Sequence, residues 1–212
     1  MGNAFDNAIR KIINMSETTI INLLRHGEVD LGSVFCGTTD PELSDIGWSQ
    51  MQKAVETEQG WNRIITSPLQ RCHEFAESLA SQEEIELSIN QSFQEIDFGL
   101  WEGQDPKDIL EKESDALNAW WKAPTKVVPP EGEAFLDFRS RVLKAFNEVV
   151  SQNGDENILI VTHAGVIRVI MMHILGMQDE HLFRLNVDYA SYTRIRLYRD
   201  ETGEWGTLLS HR

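Results

Sequence analysis

The chain has 212 residues, of which 25% are charged and 41% hydrophobic, and its formal net charge is −15 at pH 7. This length and composition predict one globular domain with a single sizeable core, and they exclude disordered and fibrous proteins. A surface this acidic repels nucleic acids and anionic lipids, so we expect neither nucleic acid nor membrane as a partner.

The cysteine content and the absence of long apolar runs bear on the cellular compartment. Cys36 and Cys72 are too few to form a disulfide framework, which favours a reducing compartment. The sequence has no apolar run long enough to span a membrane, and residues 1–15 lack the apolar core of a signal peptide. We therefore expect a cytoplasmic protein. Residues 1–15 form either an N-terminal extension that precedes a domain of residues 16–212 or an ordered N-terminal helix.

Apolar patterning predicts alternating strands and helices in the first part of the chain. A near-continuous apolar run over residues 18–24 predicts the first strand, and residues 44–56 predict a helix with Ser44 as its N-cap. A short strand over 62–66 and a helix over 69–81 follow. Residues 94–130 interrupt this alternation with Trp101, Trp120 and Trp121 and end near Pro129-Pro130, which indicates an inserted lid or wall.

The second part of the chain returns to the same alternation. Apolar side chains on one stripe predict a helix over 133–151, followed by a strand over 157–162 and a helix over 164–175 that Gly176 ends. Residues 191–198 alternate as a strand, and 204–210 are expected to pair beside them. The whole pattern predicts an α/β three-layer sandwich, with a mostly parallel central sheet flanked by helices.

Polar clusters follow three of the predicted strands at the points where these strands end. Arg25-His26-Gly27-Glu28 follows the first strand, Thr66-Ser67-Pro68-Leu69-Gln70-Arg71 follows the second, and Thr162-His163-Ala164-Gly165 follows the strand over 157–162. Ligands of open α/β sheets lie outside the carboxyl ends of the strands. If the three strands are parallel neighbours, two arginines and two histidines meet at one place on an otherwise acidic protein.

Such a cluster suits a phosphoryl group. The guanidinium groups of Arg25 and Arg71 can each donate two parallel hydrogen bonds to a pair of phosphoryl oxygens. The imidazoles of His26 and His163 add hydrogen-bond donors or a nucleophile. Helix starts after Ser67 and at Ala164 add backbone N–H groups, so the charge can be neutralised without a metal ion. We expect no metal and no cofactor. Taken alone, an arginine such as Arg71 is more often a helix-surface charge, and His163 is also explained as a core histidine, so the interpretation depends on the clusters occurring together.

Four stretches in this order resemble the histidine phosphatase (phosphoglycerate mutase-like) superfamily over residues 20–198. They are Arg25-His26-Gly27-Glu28, Thr66-Ser67-Pro68-Leu69-Gln70-Arg71-Cys72, Glu95-Ile96-Asp97-Phe98-Gly99-Leu100-Trp101-Glu102-Gly103 and Thr162-His163-Ala164-Gly165-Val166-Ile167-Arg168. The resemblance implies a phosphomonoesterase in which His26 becomes phosphorylated and Glu95 is the general acid. It also implies that Arg25, Arg71 and His163 bind the phosphate.

Several further residues are candidates for a secondary role in the pocket. Relatives often carry an Asn after the Arg-His-Gly motif, and none occurs in residues 29–34. Ser33, Thr38 or a backbone N–H near Gly37 is expected to replace it. Glu28 is a second candidate acid or a pocket-ordering residue. Ala164 supplies a helix-start N–H, and Trp101 or one of the 120–121 tryptophans is either core or an apolar wall for an aromatic leaving group.

The resemblance implies a small-molecule phosphomonoester as substrate, and several candidates stay open at this point. The runs of residues 35–44, 97–103 and 129–133 resemble α-ribazole-5′-phosphate phosphatases, which indicates α-ribazole 5′-phosphate as substrate. The first alternative is a broad-specificity phosphatase for sugar phosphates or phosphoglycerate. A phosphoglycerate mutase and a non-catalytic phospholigand-binding module are further alternatives. The oligomeric state is also open, with a homodimer as one alternative.

Overall fold

The structure is a computed structural model that describes residues 17–32, 34–154, 156–200 and 203–212. The predicted N-terminal segment 1–15 lies outside these residues, so its interpretation and the boundary at residue 16 stay predictions. Within the described residues, no helix is long and apolar enough to cross a membrane.

Strands and helices alternate along the chain. The strands are β1 (Glu17–Arg25), β2 (Arg63–Thr66), β3 (Glu86–Ile89), β4 (Asn157–Thr162), β5 (Tyr192–Asp200) and β6 (Gly203–His211). The α-helices are α1 (Asp45–Val55), α2 (Gln70–Glu83), α3 (Pro106–Lys122), α4 (Phe135–Gln152) and α5 (Ala164–Ile174). Short 3₁₀ turns cover Gln91–Phe93, Gly99–Trp101 and Asp179–Arg184.

The six strands form one mixed sheet in the order β3-β2-β4-β1-β5-β6. The β3-β2, β2-β4 and β4-β1 pairs are parallel, whereas β5 is antiparallel to both β1 and β6. This confirms the predicted α/β fold with a mostly parallel sheet. β3 is the one described strand that the sequence pattern does not predict, because it is short, lies at the sheet edge and exposes Glu86 and Ile89.

Both faces of the sheet are covered by helices, which explains why the central strands are almost entirely apolar. In β4, Ile158 and Ile160 pack into the cluster formed with α4 and α5, whereas Leu159 and Val161 pack into the cluster formed with α1 and α2. Successive side chains of a strand point to opposite faces, so one apolar run supplies both cores.

The predicted helix ends agree with the structure where a capping group specifies them. Ser44 precedes α1, and its Oγ accepts a hydrogen bond from Gly47 N at 3.0 Å. Gly176 follows α5 with a φ of +62°, a conformation that favours glycine at a helix end.

The segment of residues 94–130 packs against the α4 and α5 side of the sheet. Its helix α3 contributes Ile109, Leu117 and Trp120 to the core, and Trp101 is only 1% exposed. Non-helical dihedral angles at Glu113 kink α3, with φ −137° and ψ 44°. The interpretation of this segment as an insertion misses the helix within it, although Ile109, Leu117 and Trp120 recur at helical spacing.

Candidate active site

The carboxyl ends of β1, β2 and β4 bring the three predicted polar clusters together. Arg25 on β1 is in register with Thr162 on β4, and Thr66 on β2 is in register with Val161. Beyond the strands, His26 N donates to Thr162 O at 3.0 Å, and Ser67 N donates to Val161 O at 3.0 Å. The parallel register therefore places Arg25, His26, Ser67 and His163 at one edge of the sheet.

The His26 imidazole is buried and held in a defined orientation. Its Nδ1 lies 2.8 Å from Gly27 O, and because a carbonyl oxygen can only accept, this contact places the proton on Nδ1. The lone pair then belongs to Nε2. Burial, followed by the charges of Arg71 and Arg25, holds the pKa of His26 well below its ordinary value. His26 is thus a neutral imidazole with one ring nitrogen able to attack an electrophile.

His163 lies beside His26, with the ring centroids 5.2 Å apart. Its Nε2 is 2.7 Å from Ser67 Oγ, and the Sγ of Cys72 is 3.6 Å from the same nitrogen. Burial, together with the charge of Arg71, lowers the pKa of His163 well below its ordinary value. Burial also raises the pKa of Cys72, so this thiol stays protonated and is a packing neighbour rather than a nucleophile.

Two guanidinium groups adjoin the histidines, that of the half-buried Arg25 and that of the fully buried Arg71, and neither is fully satisfied by protein acceptors. Arg25 donates from Nη1 to Val187 O at 2.8 Å and stacks 4.1 Å from the Tyr189 ring. Arg71 is fully buried and donates from Nη1 and Nη2 to the carbonyl oxygens of Thr39 and Gly37 at 2.6 and 2.7 Å. Among the described residues, the buried Nε–H groups of both arginines have no acceptor. Orphaned buried donors of this kind are costly in a folded protein.

Glu95 lies in the loop after the Gln91–Phe93 turn, and its carboxylate contacts the first turn of α5 next to the arginine and histidine cluster. Its Oε2 accepts from Gly165 N at 2.9 Å, and its Oε1 accepts from Ile96 N at 3.0 Å. A Cβ at position 165 would lie 2.2 Å from Glu95 Oε1, so only glycine lets the carboxylate approach the helix start this closely. The side chain is 7% exposed, which excludes a solvated loop carboxylate.

Two residues that the sequence analysis does not single out fix the backbone around Glu95. The Arg141 guanidinium donates to the carbonyl oxygens of Ser92, Gln94 and Glu95 at 2.8 to 3.0 Å. It also forms a two-point ion pair with the Glu133 carboxylate, with both distances below 3 Å. Their separation in sequence from Glu95 leaves no local signal that could have revealed this role.

The loop of residues 36–39 contains two of the three groups expected to replace the family Asn. The Gly37 N–H donates to both carboxylate oxygens of Glu102, at 3.1 and 3.0 Å, and is therefore already used. The exposed Thr38 bonds through its hydroxyl to Asp97 Oδ1 at 3.5 Å. Both expected replacements for the family Asn are thus engaged elsewhere in the fold. Ser33, the third candidate, lies outside the described residues.

The remaining secondary candidates contribute through their backbone positions. Glu28 N donates to Gln50 Oε1 at 2.9 Å, and Glu28 O accepts from Ser44 N at 3.0 Å, which ties the turn after His26 to α1. These contacts are consistent with a pocket-ordering role. Ala164 is the buried first residue of α5 and precedes the N–H that binds Glu95.

An aromatic cavity of about 130 Å³ opens beside Glu95. Arg168 and Gly165 line it together with Ile96, Leu182 and six aromatic side chains, namely Phe35, Phe98, Trp120, Phe135, Phe138 and Phe183. Trp101 does not line this cavity; it packs in the core against Phe35, with ring centroids 5.8 Å apart. Of the three tryptophans in the segment, Trp120 is thus the one that lines the cavity, where its ring centroid lies 6.5 Å from that of Phe135.

The described residues offer no evident metal centre. No group of three or more His, Cys, Asp or Glu side chains among them is arranged to hold a metal ion. The positive charge at the strand ends comes from guanidinium groups, whose hydrogen-bonding geometry suits phosphate oxygens.

Comparison with curated proteins finds a phosphatase and a bifunctional protein among the relatives, both at modest identity. The chain is 25% identical over 177 residues to the adenosylcobalamin/alpha-ribazole phosphatase of Escherichia coli, which covers 82% of this chain and 87% of that protein. It is 29% identical over 187 residues to a bifunctional protein of Mycobacterium tuberculosis, covering 86% of this chain. The chain spans about half of the length of that bifunctional protein, 51%.

Comparison with solved structures gives the same fold. The mycobacterial glucosyl-3-phosphoglycerate phosphatase superposes with a TM-score of 0.81 at 24% identity, covering 91% of this chain and 97% of that one. The sequence profile described as Histidine phosphatase superfamily (branch 1) matches residues 21–205, which contain all the polar clusters at the strand ends. The chain therefore belongs to the histidine phosphatase superfamily.

Proposed function

We propose that this chain is a metal-independent phosphomonoesterase that acts through a phosphohistidine on His26. The observation that carries the proposal is the pair of buried Nε–H groups on Arg25 and Arg71 that lack acceptors beside a neutral, oriented imidazole. This arrangement offers a phosphoryl dianion both a nucleophile and charge-assisted donors.

The first step transfers the phosphoryl group to the enzyme. The Nε2 lone pair of His26 attacks phosphorus, and a P–N bond forms while the bond from phosphorus to the ester oxygen breaks. Glu95, in its acid form, gives its proton to the departing oxygen, so the alcohol leaves neutral. Arg25 and Arg71 stabilise the negative charge that spreads over the three equatorial oxygens.

The second step releases phosphate and restores the enzyme. A water molecule attacks phosphorus and loses a proton to the Glu95 carboxylate, and the P–N bond breaks to return a neutral His26. His163, held at Ser67, contributes its imidazole to binding the phosphoryl group in both steps. Each residue thus ends the cycle in the protonation state in which it began.

Turnover of p-nitrophenyl phosphate in EDTA tests this proposal. Wild-type protein is expected to hydrolyse the ester, and His26→Ala is expected to lose at least 1000-fold in kcat, in the range found for nucleophile removal. Rapid acid-free quenching should trap acid-labile phosphate on residue 26. Equal rates for the two proteins would support a phospholigand-binding module or another nucleophile instead.

For the substrate, we propose α-ribazole 5′-phosphate. The aromatic cavity beside Glu95 supports this choice, since a flat apolar ring gains more from its walls than a polyol does. The likeness to the Escherichia coli adenosylcobalamin/alpha-ribazole phosphatase also supports it. The alternative is a broader phosphatase for sugar phosphates or phosphoglycerate, and the likeness to a glucosyl-3-phosphoglycerate phosphatase favours that alternative.

Two matched tryptophan variants test the substrate proposal. Trp120→Leu is expected to reduce the preference for α-ribazole 5′-phosphate over glycerol phosphate by about tenfold, because it removes a wall of the cavity. Trp61→Leu is the control, since Trp61 is also buried but lies in the core cluster on the opposite face of the sheet, outside the cavity. If both variants keep the wild-type preference, the cavity does not receive the leaving group.

A further inference from the structure

The Glu102 carboxylate is the acceptor for a whole loop. It receives hydrogen bonds from the N–H groups of Gly37, Thr38 and Thr39 at 3.0 to 3.1 Å, and from the Thr39 hydroxyl. It also accepts from Phe98 N, within its own turn, at 3.0 Å. Glu102 thereby ties the inserted segment to the 36–39 loop.

The opposite side of the same loop faces Arg71. The carbonyl oxygens of Gly37 and Thr39 lie 2.7 and 2.6 Å from its terminal nitrogens, and that of Cys36 lies at 3.3 Å. The peptide between residues 36 and 37 therefore donates its N–H to Glu102 and accepts at its C=O from Arg71. The peptide between residues 37 and 38 does the same.

These two peptide groups connect an anion to a cation. The N–H and C=O of a trans peptide point in opposite directions, so each group lies with its dipole between the carboxylate and the guanidinium. Hydrogen bonds with an ionised partner at each end are stronger than neutral ones and polarise one another. Through the loop, Glu102 thus compensates the positive charge of Arg71. The Arg71 guanidinium is fully buried and has no direct ion pair among the described residues.

Two further observations show that the Glu102 carboxylate and the 36–39 loop are closely packed. A Cβ at Gly37 would lie 2.0 Å from Ile96 O and 2.3 Å from Glu102 Oε1, so the loop can approach only with glycine there. Burial acts to raise the pKa of Glu102, but the hydrogen bonds from Thr39, Phe98 and Thr38 outweigh it and lower the pKa below its ordinary value. The carboxylate is therefore ionised across the neutral range.

We infer that Glu102 is a positioning residue for phosphate binding, which acts on Arg71 through the peptide groups of the 36–39 loop. The loop carbonyls hold the terminal nitrogens of Arg71 and leave its Nε–H, which has no protein acceptor among the described residues, for a phosphoryl oxygen. This inference rests on the proposed function, because it assigns Arg71 to phosphate.

Binding of inorganic phosphate, measured by calorimetry, tests the inference. Glu102→Gln is nearly isosteric but exchanges one acceptor oxygen for a donor, so the loop loses part of its anchor. The dissociation constant for phosphate is expected to rise about tenfold. Glu113→Gln is the matched control, since its carboxylate contacts Trp101 Nε1 in the same inserted segment and does not touch the loop; its phosphate affinity is expected to stay within twofold.

Two further measurements separate positioning from a purely structural role. Hydrogen exchange at the amides of residues 37–39 should accelerate in Glu102→Gln while the exchange of the β-sheet amides is unchanged. The effect of Glu102→Gln on phosphate affinity should also largely disappear in an Arg71→Lys background, because both substitutions act on the same contact.

The outcomes distinguish this inference from the proposed function. If wild-type protein binds phosphate and the amides of 37–39 exchange faster in Glu102→Gln without a change in affinity, Glu102 does not position Arg71. Full additivity with Arg71→Lys would overturn the inference in the same way. If wild-type protein does not bind phosphate at all, the proposed function itself fails.

Discussion

Gly165→Ala is expected to impair proton transfer by Glu95 while leaving the fold intact. The added Cβ would lie 2.2 Å from Glu95 Oε1 and 3.0 Å from its carboxyl carbon. Restoring ordinary van der Waals contact requires the carboxylate to move by about 1 Å. That shift breaks the 2.9 Å hydrogen bond between Gly165 N and Oε2, so the acid no longer faces the departing oxygen.

The size of the effect depends on the leaving group. A displacement of about 1 Å costs roughly 100-fold in rate, or about 2.7 kcal/mol of transition-state stabilisation. We expect kcat for an alkyl phosphate to fall by about that factor. The kcat for p-nitrophenyl phosphate should fall less than tenfold, because p-nitrophenolate leaves without needing a proton. Alanine in a helix is up to about 1 kcal/mol more favourable than glycine, so stability should not fall greatly.

Steady-state kinetics of Gly165→Ala, Glu95→Gln and the double variant provide the assay. Both single substitutions act on one carboxylate, so the double variant should be no slower than Glu95→Gln alone. Gly60→Ala is the control for a destabilising glycine substitution, since Gly60 has a φ of +78° and precedes the amino end of β2, away from the site. Equal losses for alkyl and p-nitrophenyl phosphate, or additive effects in the double variant, would refute the assignment of Glu95 as the acid.

Three other predictions concern Arg71, the histidines and Trp101. Arg71→Lys should lower kcat/KM at least tenfold, because a lysine cannot both hold the loop carbonyls and present a second donor; a near-wild-type value would place Arg71 outside the phosphate site. The free energy of unfolding, measured with urea, should fall as the pH drops below about 6.5. Unfolded imidazoles bind protons there, whereas the lowered pKa values keep His26 and His163 neutral in the fold. His26→Ala should show a smaller slope between pH 7.5 and 5.5, and an unchanged slope would contradict this origin. Trp101→Leu should lower the free energy of unfolding by roughly 1–3 kcal/mol, the cost of a core truncation, and the urea midpoint should fall with it; an unchanged midpoint would show that the Trp101 site is not tightly packed.

Much of the architecture follows from local patterns in the sequence. Apolar patterns predict strands and helices where these elements are buried. Examples are the continuous apolar run of β4, which is buried on both faces, and the 3.6-residue period of α4. The polar clusters after β1, β2 and β4 could be predicted to converge because parallel strands end at the same edge of a sheet. The same patterns do not reveal β3, since it is a short, exposed edge strand. In α3, Ile109, Leu117 and Trp120 do recur at helical spacing, but the interpretation of residues 94–130 as a single insertion overlooks this period.

Sequence alone thus determined the class of fold and placed Arg25, His26, Arg71 and His163 at one sheet edge, because these features depend on periodicity and on strand ends. Tertiary structure alone decided which side chains complete the site. Glu102 meets Gly37 across 65 residues of chain, and Arg141 meets Glu95 across 46. It also decided that Trp120 lines the cavity while Trp101 is packed in the core. Contacts between residues so far apart in sequence form only when separate segments pack against one sheet, and no short stretch of sequence specifies which residues will meet.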